Sequence, residues 1–370
     1  MLDPGVDDSA TQGNVMRDRA LGILLVGLVV AWVGTVDATT QTRDYFLTTP
    51  STQKYAVIFG GIGAGKTYAE RFRQWAFKLH DLLTGAYGYR PEHVTLLLDR
   101  GGTEASRISG PCRRETILTT MAALKTKVQP GDQVTFVFIG HGTSDEKTAK
   151  FVIAGPDITG DEFADQLASF VEQDIVVVHT TSSGYPFCTA LSAPGRVILC
   201  ATRSRAETYD TVFAPFFLEA LDQHAADRDK NGRLSMFEAF GFVREKVKTW
   251  YADQDRLSSE HPTLDDNGDG RFHTHPDPVK DEGRWAQVAY LDTLTASLPE
   301  AVAGQASESL RTLTAKAQAL ERSVVLLRNQ KAELTADDYQ QQMETLLIEL
   351  ARTMQHLKRV RPDGQEVQFE

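Results

Sequence analysis

Cysteine is scarce in this chain, and its scarcity excludes a disulfide-stabilised fold. The 370 residues contain three cysteines, Cys112, Cys188 and Cys200, which is too few for a disulfide framework in a chain of this length. Cys200 lies in an apolar run and is predicted to be a buried side chain. A hydrophobic core must therefore hold the fold together, and 41% of the residues are hydrophobic.

An excess of positive charge is also missing. Lys and Arg number 39 against 50 Asp and Glu, which gives a formal net charge of −11 at pH 7. Phosphate binding needs a basic face, so this composition argues against nucleic acid as a partner. The same balance favours a soluble protein.

A long apolar run lies near the N-terminus. It covers residues 20–36 and is preceded by charged residues and followed by Ala38, a pattern typical of an export signal over residues 17–38. A run of about 17 apolar residues is at the lower limit for crossing a bilayer, so a retained membrane tether is the alternative. Residues 1–16 are polar and predicted to be disordered. We therefore expect a periplasmic or secreted protein or, alternatively, one anchored in the inner membrane with its folded part outside the cytosol.

From Lys54 onwards, short apolar runs alternate with stretches of helical periodicity. Strands are predicted at residues 55–59, 94–98, 133–139, 174–179 and 196–201. Helices are predicted between and after them, at residues 68–83, 114–128, 160–171 and 213–225. This alternation predicts an α/β fold with a mostly parallel sheet that helices cover on both faces. The carboxyl ends of such strands form the ligand-binding edge of the sheet.

The C-terminal residues have a different pattern. Apolar side chains recur every three or four residues from Leu310 to Leu327 and again from Tyr339 to Leu357. This predicts an α-helical hairpin over residues 298–360, after an α/β domain over residues 50–295. The leucine seam either packs on the protein itself or forms a homo-oligomer contact, and the pattern leaves both open.

Two predicted strands end in polar residues flanked by glycine. His141 follows the third strand, and Thr181 and Ser182 follow the fourth. An imidazole beside a hydroxyl is the arrangement of a base and its nucleophile, so these three residues are the candidate catalytic residues. A histidine at a strand end also fits a structural role, and the sequence identifies no third, orienting group.

The first predicted strand is followed by a glycine-rich turn. Residues 60–67 fit the phosphate-binding pattern G-x-x-x-x-G-K-[ST], in which Lys66 and Thr67 would hold phosphate and Mg²⁺. Export argues against nucleotide binding, because compartments outside the cytosol lack a nucleotide pool. A glycine-rich turn between a strand and a helix is the competing interpretation.

A calcium-loop pattern is the most specific motif in the sequence. Residues 227–238 fit D-x-[DN]-x-[DN]-G-x5-E in full, which predicts bound Ca²⁺. The candidate metal ligands are Asp227, Asp229, Asn231, Arg233, Ser235 and Glu238. The competing interpretation is a helix–turn–helix junction that uses Asp and Asn in its turn and cap. Residues 265–270 repeat the opening of the pattern, but Pro276 stands where the closing glutamate belongs, so a polar turn is expected there.

Four of the predicted strands resemble the legumain family of caspase-fold cysteine peptidases, in a divergent bacterial branch. Their sequences are YAVIFGG, VTFVFIGHG, DIVVVHTTSSG and RVILCAT. The resemblance covers residues 54–271 and implies a caspase-like fold. His141 matches the family's catalytic histidine. When the family's closing Ser-Gly is aligned on residues 183–184, Thr181 stands where the nucleophilic cysteine belongs, and His179 stands where an aspartate belongs.

Three functions compete on this basis. The expected one is a pseudopeptidase that has lost its cysteine and binds peptide or protein ligands in the old cleft. The first alternative is an active hydrolase in which Thr181 or Ser182 acts with His141. The second alternative is a nucleotide-binding protein that uses Lys66 and Thr67.

Overall fold

The structure of the protein is a computed structural model that describes residues 43–102, 106–145, 148–222, 225–280, 282–296 and 307–360. The segment 1–16 and the expected signal or anchor at residues 17–38 lie outside the described residues. From Asp44 onwards the described residues form one compact unit. No helix in the described part of the chain is both long and apolar enough to cross a membrane.

The described residues form nine strands and eight α-helices. Their order is β1 (Lys54–Gly60), α1 (Lys66–Thr84), β2 (Val94–Leu98), α2 (Arg114–Lys127), β3 (Gln133–Ile139), β4 (Gly142–Ser144), β5 (Ala149–Phe151), β6 (Ile158–Thr159), α3 (Gly160–Leu167), β7 (Asp174–His179), α4 (Tyr185–Leu191), β8 (Arg196–Cys200), α5 (Phe213–Leu221), α6 (Met236–Ala252), β9 (Thr263–Asp265), α7 (Glu308–Asn329) and α8 (Ala336–Arg359).

Six strands form a central sheet in the order β2-β1-β3-β7-β8-β9. The first five strands are parallel, and β9 pairs antiparallel with β8 at one edge. The parallel strands consist almost entirely of buried residues, because helices cover both faces of the sheet. The predicted α/β class and mostly parallel sheet are confirmed.

Successive residues of each strand enter two separate hydrophobic cores. In β1, Ala56 and Ile58 belong to the core that also contains residues of α1, α5 and α6. Val57 and Phe59 belong to the opposite core, which contains residues of α2, α3 and α4. This alternation follows from the two-residue period of a strand. The sheet is therefore the middle of three layers, and loops at its two ends are left to form sites.

The C-terminal helices α7 and α8 form the predicted helical hairpin. The Thr335 hydroxyl caps α8 by accepting a hydrogen bond from the Asp338 amide at 3.1 Å. The Arg322 side chain joins α7 to the first described residues by donating to the Tyr45 carbonyl at 2.7 Å. In contrast, α8 exposes three large apolar side chains, Leu347, Ile348 and Met354. The homo-oligomer contact stays a prediction.

Several elements differ from the sequence-based prediction. A small antiparallel sheet of β4, β5 and β6 follows β3, α4 follows β7, and β9 completes the central sheet. These four strands are two or three residues long, which is too short for a periodic pattern. The helices predicted at residues 160–171 and 213–225 end earlier, at Leu167 and Leu221.

Candidate functional site

The carboxyl ends of β3 and β7 lie side by side. These strands are parallel neighbours, with Phe138 opposite His179. Beyond the paired residues, the two chain segments stay in contact: a Cβ on Gly142 would lie 2.2 Å from the Ser182 carbonyl oxygen and 2.4 Å from Thr181 Oγ1. The fold therefore brings the His141 turn and the hydroxyl cluster to the same edge of the sheet.

His141 lies in a half-buried aromatic setting. Its ring makes edge contacts with Tyr68 and Phe72 of α1, each with ring centroids 4.9 Å apart. Its Nδ1 lies 3.4 Å from Asp210 Oδ1, and the Tyr68 hydroxyl donates to the other Asp210 oxygen. Burial lowers the pKa of His141, and the Asp210 charge offsets part of that shift. The imidazole is therefore mainly neutral at pH 7 and is oriented by Asp210.

The two candidate nucleophiles do not face this imidazole. Thr181 Oγ1 is buried, 3.2 Å from His179 Nδ1, and donates to the Ser182 carbonyl at 3.1 Å. Ser182 Oγ donates to the Gly142 carbonyl at 3.3 Å. Among the described residues, no hydrogen bond joins His141 to either hydroxyl, and His141 Nε2 is buried without a hydrogen-bond partner. A general base must reach its nucleophile by a hydrogen bond, so no such pair is formed.

His179 occupies the position where the legumain resemblance places an aspartate. Its ring is fully buried and packs against Phe138 and Phe187, with ring centroids 5.0 and 4.8 Å away. Burial lowers the pKa of His179 to about 3, so the imidazole is neutral at physiological pH. An uncharged histidine inside an aromatic core holds Thr181 in place, and it supplies no charge for catalysis.

None of the three cysteines is exposed to a ligand. The thiols of Cys112, Cys188 and Cys200 are free and buried. Burial raises the pKa of the Cys188 thiol, which lies on α4 just beyond the Thr181 turn. A buried thiol with a raised pKa does not form the thiolate that attacks a carbonyl.

The loop after β8 forms the far side of this edge. The Glu207 carboxylate accepts the Arg203 amide at 2.9 Å and lies 2.5 Å from His261 Nδ1. The Glu207 carbonyl accepts the Ser183 amide at 2.7 Å. These contacts connect the β7 turn, the β8 loop and the segment before β9, and they fix the loop that carries Asp210.

A groove of about 430 Å³ lies between this loop and α6. Leu257 at its rim is 96% exposed. The ionisable side chains that line the groove are mostly basic: Arg203, Arg244, Lys248, Arg256, His261 and His275 against Glu245 and Glu260. The groove is therefore locally basic on a protein of net negative charge.

Glu260 lies buried at the back of this groove. Its Oε1 accepts the Val212 amide at 2.7 Å, and its Oε2 is buried without a hydrogen-bond partner. Burial, with a contribution from the Glu207 charge, raises the pKa of Glu260 to about 8. The carboxyl is therefore mostly protonated at neutral pH.

The glycine-rich turn after β1 leads into α1. Lys66 and Thr67 begin this helix and are exposed. The Gly65 amide donates to the Gly63 carbonyl at 2.9 Å, so it does not point outwards as a phosphate-binding amide must. Gly61 packs against β5, because a Cβ there would lie 2.4 Å from the Val152 carbonyl oxygen. Close packing accounts for a glycine in this turn without a phosphate.

The calcium-loop pattern at residues 227–238 joins α5 to α6. Carboxylate oxygens of Asp227, Asp229 and Glu238 lie within 4.8 Å of one another, and Asp227 Oδ1 is buried without a hydrogen-bond partner. Lys230 and Gly232 have positive φ angles of 57° and 80°, which turn the chain around the cluster. The structure thus contains an acidic cluster that fits a hard cation.

The other predicted ligands of this loop have different roles. The Arg233 side chain is buried and pairs with Asp292 at 2.8 Å, so Arg233 can offer a cation its backbone carbonyl and not its side chain. Asn231 Oδ1 accepts the Arg233 amide at 2.8 Å. The Ser235 hydroxyl forms a capping box with Glu238 at the start of α6. Turn and cap chemistry therefore operates in the same loop as the acidic cluster.

The calcium-loop lies at the opposite end of the sheet from His141. Ser235 forms a bridge with Tyr290, and the Tyr290 carbonyl accepts hydrogen bonds from Lys54 Nζ and Gln133 Nε2, at 2.6 and 3.0 Å. Lys54 and Gln133 are the first residues of β1 and β3. A cation in this loop would therefore act on the fold and not on a substrate beside His141.

Sequence reasoning missed three residues around His141, namely Tyr68, Phe72 and Asp210. Each lies in a segment that follows a parallel strand, and such segments meet at the carboxyl edge. That rule selects whole segments, whereas the choice of residue depends on the rotation of α1 and the path of the β8 loop. Asp210 is the carboxylate that contacts His141, and the sequence left this contact unidentified.

Comparisons with known proteins add little to this geometry. No protein-family model and no curated protein matches the chain. Among solved structures, the chain is similar to protein GSU0716 from Geobacter sulfurreducens, a structural genomics target, at 12% sequence identity and a TM-score of 0.39. That similarity covers 64% of this chain and 99% of the other. At these values the similarity carries no argument about fold or function.

The contact between the two strand ends is testable with Gly142→Ala. The added methyl group would overlap the Ser182 carbonyl oxygen, and overpacking of this kind costs about 1–3 kcal/mol. We expect a melting temperature several degrees lower, measured by circular dichroism. The matched control is Gly241→Ala in α6, where a Cβ meets nothing within 4 Å and should stabilise by about 0.5–1 kcal/mol. Equal melting temperatures for the two variants would contradict the contact.

The raised pKa of Glu260 predicts a pH-dependent stability. A carboxyl with a folded-state pKa of about 8 contributes stability that is present at acid pH and is lost as the pH rises from its unfolded value to about 8. Glu260→Gln keeps an oxygen for the Val212 amide and has no proton to lose. We expect its melting temperature to fall less than that of the wild type between pH 5 and pH 9. Glu245→Gln, on the same groove, should follow the wild type; an unaltered slope in Glu260→Gln would refute the assignment.

Proposed function

We propose that this protein is a non-catalytic relative of the legumain-type peptidases that binds a peptide segment of a partner protein outside the cytosol. The single observation that carries the proposal is the set of hydrogen bonds that the Thr181 and Ser182 hydroxyls make. Thr181 and Ser182 both donate to backbone carbonyls of the site itself, and neither contacts His141 through a hydrogen bond. A fold that uses its nucleophile position for internal packing is suited to binding and not to bond cleavage.

The hydroxyls would need more than a small adjustment to become nucleophiles. An alcohol is far less acidic than a thiol and requires a base that takes its proton. Thr181 is fully buried between His179 and a carbonyl, so attack on a substrate would require the β7 turn to open. Buried hydrogen bonds of this kind stabilise the closed turn by about 0.5–1.5 kcal/mol each.

A hydrolase is the second candidate, and one observation favours it. His141 has a carboxylate partner in Asp210, 3.4 Å from its Nδ1, and a base oriented by a carboxylate is part of a catalytic triad. The third member, a hydroxyl within reach of Nε2, is not formed among the described residues. This candidate therefore depends on a rearrangement of Thr181 or Ser182.

The ligand class follows from the groove beside the β8 loop. The groove combines apolar contacts with four basic side chains, Arg203, Arg244, Lys248 and Arg256. Arg203 and Arg244 lie 3.4 and 2.8 Å from the carboxylates of Glu207 and Glu245, so Lys248 and Arg256 supply the remaining positive charge. An extended peptide with acidic and apolar residues complements both features, because opposite charges steer and orient a bound chain. Nucleic acid stays disfavoured, since the net charge of −11 repels a polyanion from the rest of the surface.

Ca²⁺ is the proposed resident ion of the loop at residues 227–238. Oxygen ligands of mixed charge are the set that Ca²⁺ prefers, and the loop offers Asp227, Asp229 and Glu238 at one point. The ion would tie the start of α6 to the turn after α5. Its contribution is structural in this proposal, because the loop and His141 lie at opposite ends of the sheet.

Peptide binding is tested by fluorescence anisotropy with two labelled ten-residue peptides, one rich in Asp and Leu and one rich in Lys and Leu. The acidic peptide should bind more tightly, and Lys248→Glu together with Arg256→Glu should weaken it at least tenfold. Arg113→Glu together with Lys127→Glu, exposed at the two ends of α2 on the opposite face of the sheet, serves as the charge-matched control. Equal binding of both peptides would contradict the basic groove.

The same mixtures test cleavage. After prolonged incubation with and without Ca²⁺, mass spectrometry should show both peptides, and a mixed peptide library, intact. Cleavage that Ser182→Ala or Thr181→Ala abolishes would overturn the non-catalytic proposal and establish the hydrolase.

Calcium binding is tested by thermal unfolding of chelator-treated protein. Millimolar Ca²⁺ should raise the melting temperature, because an ion at one hundred times its Kd stabilises by about 2.7 kcal/mol. Glu238→Gln should reduce this rise while its amide maintains the helix cap. Glu245→Gln, further along α6, should keep the full rise. A rise that Glu238→Gln leaves unchanged would count against the loop.

A further inference from the structure

A second acidic loop follows the edge strand β9. Asp265 ends this strand, and its Oδ1 accepts the Gly268 amide at 3.0 Å. Asp269 Oδ1 accepts the Arg271 amide at 2.7 Å. The sequence predicted a polar turn here because the closing glutamate of the calcium pattern is missing, and the turn is formed as expected.

The structure supplies an acidic group that the sequence pattern lacks. Glu282 lies thirteen residues beyond Asp269, and oxygen atoms of Asp265, Asp269 and Glu282 lie within 4.8 Å of one another. Glu282 Oε1 accepts the Asp266 amide at 2.7 Å, which fixes the carboxyl group against the loop. A carboxylate from a distant segment thus takes the place that Pro276 leaves open.

Two oxygen atoms of this cluster are buried without partners. Asp265 is 1% exposed and Glu282 is 5% exposed, yet neither Asp265 Oδ2 nor Glu282 Oε2 has a hydrogen-bond partner. His273 Nε2 lies 3.9 Å from Glu282 Oε2, beyond hydrogen-bond distance. A buried carboxylate oxygen without a partner is costly, so these two atoms are available to coordinate a ligand.

A further acidic side chain, Asp266, lies beside the cluster and favours a cation there. The Asp266 side chain is also fully buried beside the cluster, and its oxygens are already used by the amides of Gly283 and Ala286, at 2.8 and 2.7 Å. Three acidic side chains are therefore buried together. Burial and the neighbouring Asp266 charge raise the pKa of Glu282 to about 9, so its carboxyl holds a proton at neutral pH that a bound cation would displace. Buried like charges are stable together when a positive ion compensates them.

We infer that Asp265, Asp269 and Glu282 form a second Ca²⁺ site, separate from the loop at residues 227–238. Carboxylates are hard ligands that select hard cations. An irregular set of ligands from two chain segments suits Ca²⁺ better than Mg²⁺, which demands a near-ideal octahedron of ligands.

The second site would act on the same segment of chain as the first. Glu282 begins the segment 282–296, and Tyr290 and Asp292 within it contact Ser235 and Arg233 of the first loop. One ion would fix the start of this segment to β9, and the other would fix the α5–α6 loop to its middle. The segment is thereby fixed across the amino-terminal end of the sheet.

Calcium stoichiometry tests the second site. Chelator-treated full-length protein is titrated with CaCl₂ in an isothermal calorimeter, and the wild type should bind two ions per chain. Glu238→Gln should leave one ion, bound at the second site. Glu282→Gln, whose amide oxygen can still accept the Asp266 amide, should also leave one. Two ions in Glu282→Gln, or none in Glu238→Gln up to 10 mM, would overturn the inference.

A second variant, Asp269→Asn, tests the site without disturbing the fold, because Asp269 is exposed and lies outside the buried network. In the Glu238→Gln background it should weaken Ca²⁺ binding at least tenfold, whereas Asp277→Asn, an acidic neighbour outside the cluster, should leave the Kd unchanged. If both substitutions weakened binding equally, the loss of any nearby negative charge would explain the effect, and the site would be refuted. MgCl₂ should bind at least tenfold more weakly than CaCl₂; equal binding would refute the choice of ion.

Discussion

The parallel pairing of β3 with β7 is the constraint on which the candidate site depends. It aligns Phe138 with His179, so the residues that follow each strand leave the sheet at the same height. The glycine at position 142 then allows the Ser182 carbonyl to approach so closely that no other residue fits. The hydroxyls and the imidazole are neighbours for this reason, yet the close approach also directs both hydroxyls into internal hydrogen bonds.

Burial explains why the polar groups of this edge contact one another. His179 is neutral inside an aromatic core, and it holds the Thr181 hydroxyl where a charged aspartate would have been costly to bury. Asp210 and Tyr68 retain the imidazole of His141 in one orientation. Both hydroxyls and His141 Nδ1 therefore have partners within the edge itself, whereas His141 Nε2 has none. The basic groove along α6 is the proposed ligand surface.

Much of the fold was predictable from the sequence. The strands from β1 to β8 in the central sheet were found with bounds that differ by at most one residue, because buried parallel strands are continuous apolar runs with polar ends. The missed strands β4, β5, β6 and β9 are two or three residues long, which is too short for a periodic pattern, and β9 pairs with β8 from more than sixty residues away. The candidate site was predicted in part: His141 and the hydroxyl cluster were found, and Asp210 and Tyr68 were not.

The sequence by itself determined the α/β class, the helical hairpin and the acidic loop at residues 227–238, since each depends on local periodicity or on fixed spacing within one segment. Only the tertiary structure decided what the polar groups contact. Glu282 joins Asp265 across seventeen positions of sequence, Asp210 joins His141 across sixty-nine, and Thr181 turns towards His179 instead of His141. Such contacts depend on how whole segments pack in space, and no pattern within a segment encodes that packing.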